Sequence, residues 1–258
     1  MNPRLLSYRN PKSPAAEAFR TLRTSLAFAS PDPVRILLIT SAGPEEGKST
    51  VASNLAVALA QAGKRVVLVD ADLRKPNQHR VFEVPNHRGL TNVLVGEADV
   101  ESVLVNTVVP GVTLLSSGPI PPNPAELLDS DRARELWPAL ADRFDYVVID
   151  SPPMVAVADA VILSAQAEGV LVVVRAGSTR SDLLRDAGAL LQKAGARVLG
   201  AVPSSSVPRL NEVRHGPRDY RYYYYYSSHD GSRRRHHRDG GDGIGASAGP
   251  PGGFAVEE

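Results

Sequence analysis

Cysteine is absent from the 258-residue sequence, and no apolar run approaches the roughly 18 residues of a membrane-spanning helix. The first absence excludes disulfide bonds, thiolate metal sites and cysteine nucleophiles. The most apolar region, 154–174, is interrupted by charged side chains, including Asp159 and Glu168. The first residues have no apolar core, so we expect no signal peptide. A net charge of +1 points to neither nucleic acid nor a membrane surface as a partner.

The order of the apolar runs predicts one α/β domain followed by a tail. A buried strand at 34–40, a loop, a helix at about 48–62 and a strand at 65–69 form a βαβ unit, which implies a mostly parallel sheet flanked by helices. Further strands are expected at 112–115, 146–149, 169–174 and 197–202. Helices are expected at 14–29, 124–143 and 180–194. We expect 1–13 to be irregular, and 73–100 to be irregular apart from a short helix near 89–96.

Composition changes after residue 203, where Ser, Arg, His, Gly and Tyr dominate and apolar residues become rare. Such a segment buries too little surface to offset its ordering entropy, so we predict that 207–258 is disordered. The predicted organisation is therefore an N-terminal segment at 1–33, a P-loop domain at 34–206 and a tyrosine-rich tail at 207–258.

The loop between the first predicted strand and the following helix has the composition of a phosphate-binding loop. Main-chain N–H groups of such a loop and of the helix start face phosphates. The lysine can reach the β and γ phosphates of ATP, and the serine hydroxyl can bind Mg²⁺. Alanine stands where the strict pattern has its first glycine. The predicted nucleotide-binding residues are Ala42, Gly43, Pro44, Glu45, Glu46, Gly47, Lys48, Ser49 and Thr50.

Carboxylates follow two of the other predicted strands. Asp70 and Asp72 come after the strand at 65–69, and Asp150 comes after the strand at 146–149. The carboxyl ends of parallel strands are where open α/β sheets bind ligands. Alternatively, these aspartates could be solvent-exposed residues that form turns at the strand ends. Because three carboxylates exceed what Mg·ATP binding needs, one of them could orient or deprotonate a nucleophile.

These motifs resemble those of the bacterial tyrosine kinases, in particular the cytoplasmic kinase module of the capsular and exopolysaccharide biosynthesis group. The P-loop, the D-x-D-x-R pattern at 70–74 and the Asp-Ser-Pro-Pro at 150–153 match the group's three Walker-type motifs. Stretches at 14–26, 89–96 and 118–128 are also similar, and the resemblance covers about residues 5–202.

The resemblance implies a role for each motif position. It makes Lys48 and Ser49 the holders of Mg·ATP, and Asp70 the general base for the attacking tyrosine. It assigns the metal to Ser49, Asp72 and Asp150, with Lys48, Asp70 and Asp72 forming the catalytic set. The implied reaction is autophosphorylation on tyrosine with ATP and Mg²⁺.

A charged face on the helix at 14–29 is interpreted in two ways. Glu17, Arg20 and Arg23 recur every third residue and would, from the pattern alone, form a solvated face. The resemblance instead matches them to an E-x-x-R-x-x-R motif that builds a homo-oligomeric ring. It also implies a membrane-embedded activator that recruits a cytoplasmic protein to the inner face of the plasma membrane.

Two other functions remain open alternatives. A partition or septum-site switch ATPase would carry a second lysine early in the P-loop, where this chain has Gly43. A non-catalytic nucleotide-binding scaffold would not need the intact Lys48, Asp70, Asp72 and Asp150. One departure from the family concerns the last strand, whose usual Leu-Asn pair near the adenine is replaced by Pro203-Ser204.

Six of the eight tyrosines lie together in the predicted tail. With the run 233–238 of Arg and His beside them, they could bind nucleic acid by stacking and charge. The P-loop domain favours a different role, in which they accept phosphate in a neighbouring subunit's active site. The predicted acceptors are Tyr220, Tyr222, Tyr223, Tyr224, Tyr225 and Tyr226.

Overall fold

The computed structural model describes residues 4–204. The predicted tail, with its tyrosines, lies outside the described residues. The described part forms one sheet of seven strands in the order β3-β4-β2-β5-β1-β6-β7, in which only β3 and β4 are antiparallel neighbours. The predicted α/β fold with a mostly parallel sheet is confirmed.

The strands within the described part are β1 (Ile36–Ser41), β2 (Val66–Asp70), β3 (Leu104–Asn106), β4 (Val112–Leu115), β5 (Tyr146–Asp150), β6 (Gly169–Arg175) and β7 (Val198–Ser204). The helices are α1 (Leu6–Arg9), α2 (Pro14–Phe28), α3 (Lys48–Ala60), α4 (Gln78–Phe82), α5 (Leu90–Val95), α6 (Val100–Val103), α7 (Pro124–Leu128), α8 (Asp131–Arg143), α9 (Asp159–Gln166) and α10 (Ser181–Lys193).

Both faces of the central strands are buried, which explains their nearly continuous apolar sequences. Leu37 and Ile39 of β1 pack with α3 on one face, while Ile36 and Leu38 pack on the other face with a cluster that includes Trp137. The sheet is therefore the middle of three layers.

The N-terminal helices pack against α3, the helix that follows the P-loop. Ser13 caps α2 by accepting a hydrogen bond from the main-chain N–H of Ala16 at 3.1 Å, as its position before Pro14 predicts. Asn54 of α3 accepts from the N–H of Ser7 at 2.8 Å, and Leu5 is 1% exposed. The segment before the sheet is thus fastened to α3.

Several predicted boundaries are wrong. The single helix expected at 124–143 is two helices, because the first ends at Leu128 and Ser130 caps the second by accepting a hydrogen bond from the N–H of Ala133. The region 73–100 contains α4 and the start of α6 as well as the short helix α5, and 1–13 contains α1. The strand β3 and the helix α9 were not expected.

Between residues 4 and 204, no helix has the length and apolar character that crossing a bilayer requires.

Candidate nucleotide site

Three motifs meet at the carboxyl ends of three neighbouring strands. The P-loop follows β1, Asp150 ends β5 beside it, and Asp70 ends β2 on the far side of β5. Asp70 and Asp150 are direct partners in the register of the two strands. The sheet therefore brings together the acids that follow its predicted strands, at the edge where α/β sheets bind ligands.

The P-loop makes a tight turn before α3. Gly47 has φ of 92°, a conformation that a side chain would strain, and it precedes the helix that starts at Lys48. The end of β7 closes over this turn, because the Ser204 hydroxyl donates to the carbonyl of Glu46 and a Cβ on Gly47 would lie 3.3 Å from Ser204 Oγ. Ser204, at the departure from the family pattern, thus supports the P-loop.

Glu46 fastens the P-loop to the loop that follows β6. Its side chain is buried, and its Oε1 accepts a hydrogen bond from the Thr179 hydroxyl at 2.7 Å. Thr179 Oγ1 accepts in turn from the N–H of Arg175 at 2.8 Å. These two hydrogen bonds therefore connect the P-loop to the end of β6.

Lys48 and Asp72 form an ion pair, with Nζ 3.1 Å from Oδ2. The other oxygen of Asp72 accepts from the N–H of Lys75 at 2.9 Å. Burial alone would lower the pKa of Lys48, but the carboxylates of Asp150, Asp72 and Asp70 outweigh it and raise the pKa. Lys48 therefore stays protonated and supplies a fixed positive charge at the start of α3.

Asp70 is fully buried and has one anchored and one free oxygen. Its Oδ2 accepts from the main-chain N–H groups of Asn77 at 2.9 Å and Gln78 at 2.8 Å. Its Oδ1 has no partner within the part of the chain that the structure describes. Burial, with the nearby charge of Asp150, raises the pKa of Asp70 to about 8 in spite of those two hydrogen bonds. The carboxyl group can therefore exchange a proton near neutral pH.

Asp150 has the same arrangement. Its Oδ2 accepts from the side-chain amide of Gln78 at 2.7 Å, whereas Oδ1 finds no partner among residues 4–204. Burial raises the pKa of Asp150, although Lys48 and hydrogen bonds from Ser49 and Gln78 favour the ionised form. Each acid thus has one bonded and one free oxygen, and the two residues are partners in the register of β2 and β5.

The donor set fits a magnesium ion that is completed by a nucleotide. The Ser49 hydroxyl and the free oxygens of the carboxylates are the hard ligands that Mg²⁺ prefers. Throughout the described part, no three acidic or imidazole side chains converge closely enough to enclose a metal alone. Magnesium is usually bound by one or two carboxylates together with water and phosphate oxygens.

Arg74 links the second motif to α9 by a two-bond fork. Its Nε and a terminal nitrogen each lie 2.9 Å from an oxygen of Asp159, which is 0% exposed. Such paired bonds fix orientation as well as charge. In the sequence Asp159 is only an interruption of an apolar run, so its partnership with Arg74 is a finding of the structure.

The charged face of α2 does not join the nucleotide site. Arg20 pairs with Glu17 at 2.7 Å, and Arg23 donates to the carbonyl of Ala58 near the end of α3 at 3.0 Å. These side chains line an open groove that also contains Phe28, which is 84% exposed.

Gln78 and Thr179 contact the site, although the sequence did not predict a role for either residue. Gln78 lies in a region expected to be irregular, and its contacts are with Ser49, Asp70 and Asp150. A local signal existed, since Asn77 precedes the apolar pair Val81 and Phe82 and asparagine favours helix starts. Nothing local marks Thr179, whose partner Glu46 is 133 residues away.

The fold and the site define a P-loop nucleotide-binding domain, and the family model of the AAA domain matches residues 43–181. Among curated proteins, tyrosine-protein kinase YwqD of Bacillus subtilis (strain 168) is 43% identical over 203 residues, which cover 78% of this chain and 86% of that protein.

Solved structures of similar proteins include both a tyrosine kinase domain and a cell division ATPase. The kinase domain of the Escherichia coli tyrosine kinase ETK superposes with a TM-score of 0.75 at 35% identity, covering 83% of this chain and 84% of that one. The cell division ATPase MinD of Pyrococcus furiosus follows with a TM-score of 0.60 at 31% identity, covering 72% and 76%. The chain belongs to the family of bacterial tyrosine-protein kinases, and this assignment fits better than the switch-ATPase alternative.

Proposed function

We propose that the protein transfers the γ-phosphoryl group of ATP to tyrosine hydroxyls, including those of its own cluster at 220–226. The observation that carries the proposal is the pair of buried acids Asp70 and Asp150, each with one anchored and one free oxygen beside the P-loop. Nucleotide binding alone does not need the second acid.

Asp70 is the proposed general base. Its anchored oxygen keeps the carboxyl group from rotating, and its free Oδ1 would take the proton of the attacking hydroxyl. The raised pKa of about 8 in the nucleotide-free protein makes the ionised carboxylate a stronger base than an ordinary aspartate.

Lys48 and the P-loop would hold the phosphates. The main-chain N–H groups of the loop would bind the β and γ oxygens, and the Lys48 ammonium would exchange its bond with Asp72 for the phosphates. Ser49, Asp150 and Asp72 are the proposed holders of Mg²⁺. When bound, the ion neutralises charge that develops on the transferred group.

Incubation of the purified chain with Mg·ATP, followed by mass-spectrometric mapping, tests the proposal. We expect phosphotyrosine within 220–226, and its loss in Lys48→Met and Asp70→Asn. Lys64→Met and Asp142→Asn are matched controls, because both positions are exposed. Free phosphate without phosphotyrosine would favour the switch-ATPase alternative. Nucleotide binding without either product, even when the proposed activator is added, would favour the scaffold.

We also propose that the protein assembles as a ring through α2 and works in capsule or exopolysaccharide synthesis, with a membrane-embedded activator on the cytoplasmic side of the membrane. The support is the groove beside Glu17, Arg20 and Arg23 with its exposed Phe28. The motif's resemblance to the family's oligomerisation motif adds to it.

Exchange of the two paired charges on α2 tests the ring. The double variant Glu17→Arg with Arg20→Glu keeps an opposite-charge pair within the helix but reverses the polarity of the face. Light scattering should then show a smaller species. The swap also removes the bonds of Arg20 to the carbonyl of Pro11, so thermal unfolding must show that the variant remains folded. An unchanged mass would contradict an interface at this face.

A further inference from the structure

Gln78 connects three of the motifs that surround the nucleotide site. Its main-chain N–H donates to Asp70 Oδ2 at 2.8 Å. Its side-chain amide donates to Asp150 Oδ2 at 2.7 Å and to the carbonyl of Ser49 at 3.0 Å. The residue is 0% exposed.

We propose that Gln78 is a positioning residue for phosphoryl transfer, which orients Asp70 and Asp150 together and joins both acids to the first turn of α3. The inference rests on the proposed function, because it gives these acids their roles. Gln78 itself would touch neither the nucleotide phosphates nor the acceptor hydroxyl.

The orientation of the side-chain amide follows from its partners. Both neighbours, the carbonyl of Ser49 and the carboxylate of Asp150, are acceptors, so the amide nitrogen must face both of them. Its Oε1 is buried and has no partner in the described part of the chain. A free acceptor beside a magnesium site suits a hydrogen bond from the ion's bound water.

The bonds from Gln78, together with the N–H of Asn77 on Asp70, occupy one oxygen of each carboxylate. One donor occupies Oδ2 of Asp70 and another occupies Oδ2 of Asp150, which leaves the Oδ1 atom of each. Without the amide, Asp150 would lose its side-chain anchor from α4 and could turn toward Lys48. Partners of metal-binding carboxylates typically affect metal affinity or activity by about 10- to 100-fold.

The choice of glutamine has an electrostatic reason. The site holds three carboxylates and one lysine, and a cation is expected to enter it. Glutamine donates two hydrogen bonds without adding charge. Glutamate at 78 would instead direct acceptor oxygens at the carbonyl of Ser49 and the carboxylate of Asp150.

Two substitutions separate these contributions. Gln78→Met keeps the length of the side chain but removes both donors, and Gln78→Glu replaces the donors with acceptors. Both keep the main-chain bond to Asp70. Gln61→Met is the matched control, since the amide of Gln61 also donates to a main-chain carbonyl, that of Ser7 at 3.0 Å, on the N-terminal helix α1.

The measurements are ADP affinity by calorimetry with Mg²⁺ and with EDTA, steady-state kcat and KM for tyrosine phosphorylation, and thermal unfolding. For Gln78→Met we expect an EDTA affinity within about twofold of the natural chain, because the P-loop is unchanged. The Mg²⁺-dependent gain in affinity and kcat should each fall by about 10- to 100-fold. Gln78→Glu should lose kcat at least as strongly, because its carboxyl oxygens face the acceptors on Asp150 and Ser49, and Gln61→Met should change neither value.

An equal loss of ADP affinity with and without Mg²⁺, or a lower melting temperature alone, would show a merely structural role and overturn the inference. If Gln78→Met does not fold, Gln78→Leu, which also removes both donors without adding charge, supports the same comparison. Absence of both a Mg²⁺-dependent gain and phosphotyrosine in the natural chain would refute the proposed function itself, and the inference with it.

Discussion

Asp70→Asn should make the nucleotide-free protein more stable while removing its kinase activity. The carboxyl group of Asp70 is 0% exposed and lies beside Asp150, so the fold resists its ionisation. Asparagine carries no charge, and its side-chain oxygen can still accept from the N–H groups of Asn77 and Gln78. The substitution therefore removes the electrostatic cost and keeps the main contacts.

The size of the effect follows from the pKa. A rise from 3.8 to about 8 corresponds at pH 7 to about 4 kcal/mol against folding. The new amide group must find a partner in a buried site, which costs about 1–3 kcal/mol. A net gain of about 2 kcal/mol remains, equivalent to a melting temperature higher by roughly 4–8 °C for a domain of this size.

The pH dependence is the diagnostic feature. Because the folded pKa of Asp70 is raised, its contribution to stability is fully present below about pH 4 and is lost as the pH rises through about 8. The advantage of Asp70→Asn should therefore grow from pH 5 to pH 8 by roughly 1 kcal/mol per pH unit. Urea unfolding in EDTA at four pH values measures it. An advantage that stays constant with pH, or a variant less stable at pH 8, would refute the reasoning.

Two further substitutions test structural contacts through the free energy of unfolding, measured in urea. Arg74→Lys keeps the charge but cannot form the two-bond fork with buried Asp159, so we expect a loss of roughly 1–3 kcal/mol. Gly89→Ala would put a Cβ 2.1 Å from the main-chain oxygen of Ser116, so the backbone must shift and we expect a loss of at least about 3 kcal/mol. Each substitution has a matched control. Arg134→Lys alters an exposed pair with Asp129, and should change stability by less than about 1 kcal/mol. Gly188→Ala lies within α10 with no atom within 4 Å of the added Cβ, and should gain about 0.5–1 kcal/mol. Equal losses in a variant and its control would mean that neither the buried fork nor the close backbone approach contributes to stability.

The sequence predicts those parts of the site that depend on local pattern. The P-loop and the acids Asp70 and Asp150 each follow directly from an apolar strand, so their position at the carboxyl edge of the sheet requires only the βαβ rule. The cap at Ser13 is likewise a contact between residues three apart. Such features can be predicted from the sequence because the residues involved are close together along the chain.

Contacts between residues far apart along the chain cannot be predicted in this way. Gln78 donates to Ser49 across 29 residues and to Asp150 across 72, and no pattern near 78 records either partner. The insertion of β5 between β1 and β2 depends on the packing of the whole sheet. The break at Ser130 was missed because the helical pattern continues on both sides of it.

The register of β2 and β5 has a consequence for how the protein attracts cations. Asp70 and Asp150 stand opposite each other on strands that parallel sheets keep about 4.8 Å apart. Main-chain hydrogen bonds hold that spacing, so the two acids cannot relieve their repulsion by moving apart. The strand pairing therefore fixes the distance between the two carboxylates, and only a bound proton or cation can reduce the repulsion between them. Affinity for positive charge is thus a property of the backbone pairing itself, and loosening the β2–β5 pair should weaken it even with every acid in place.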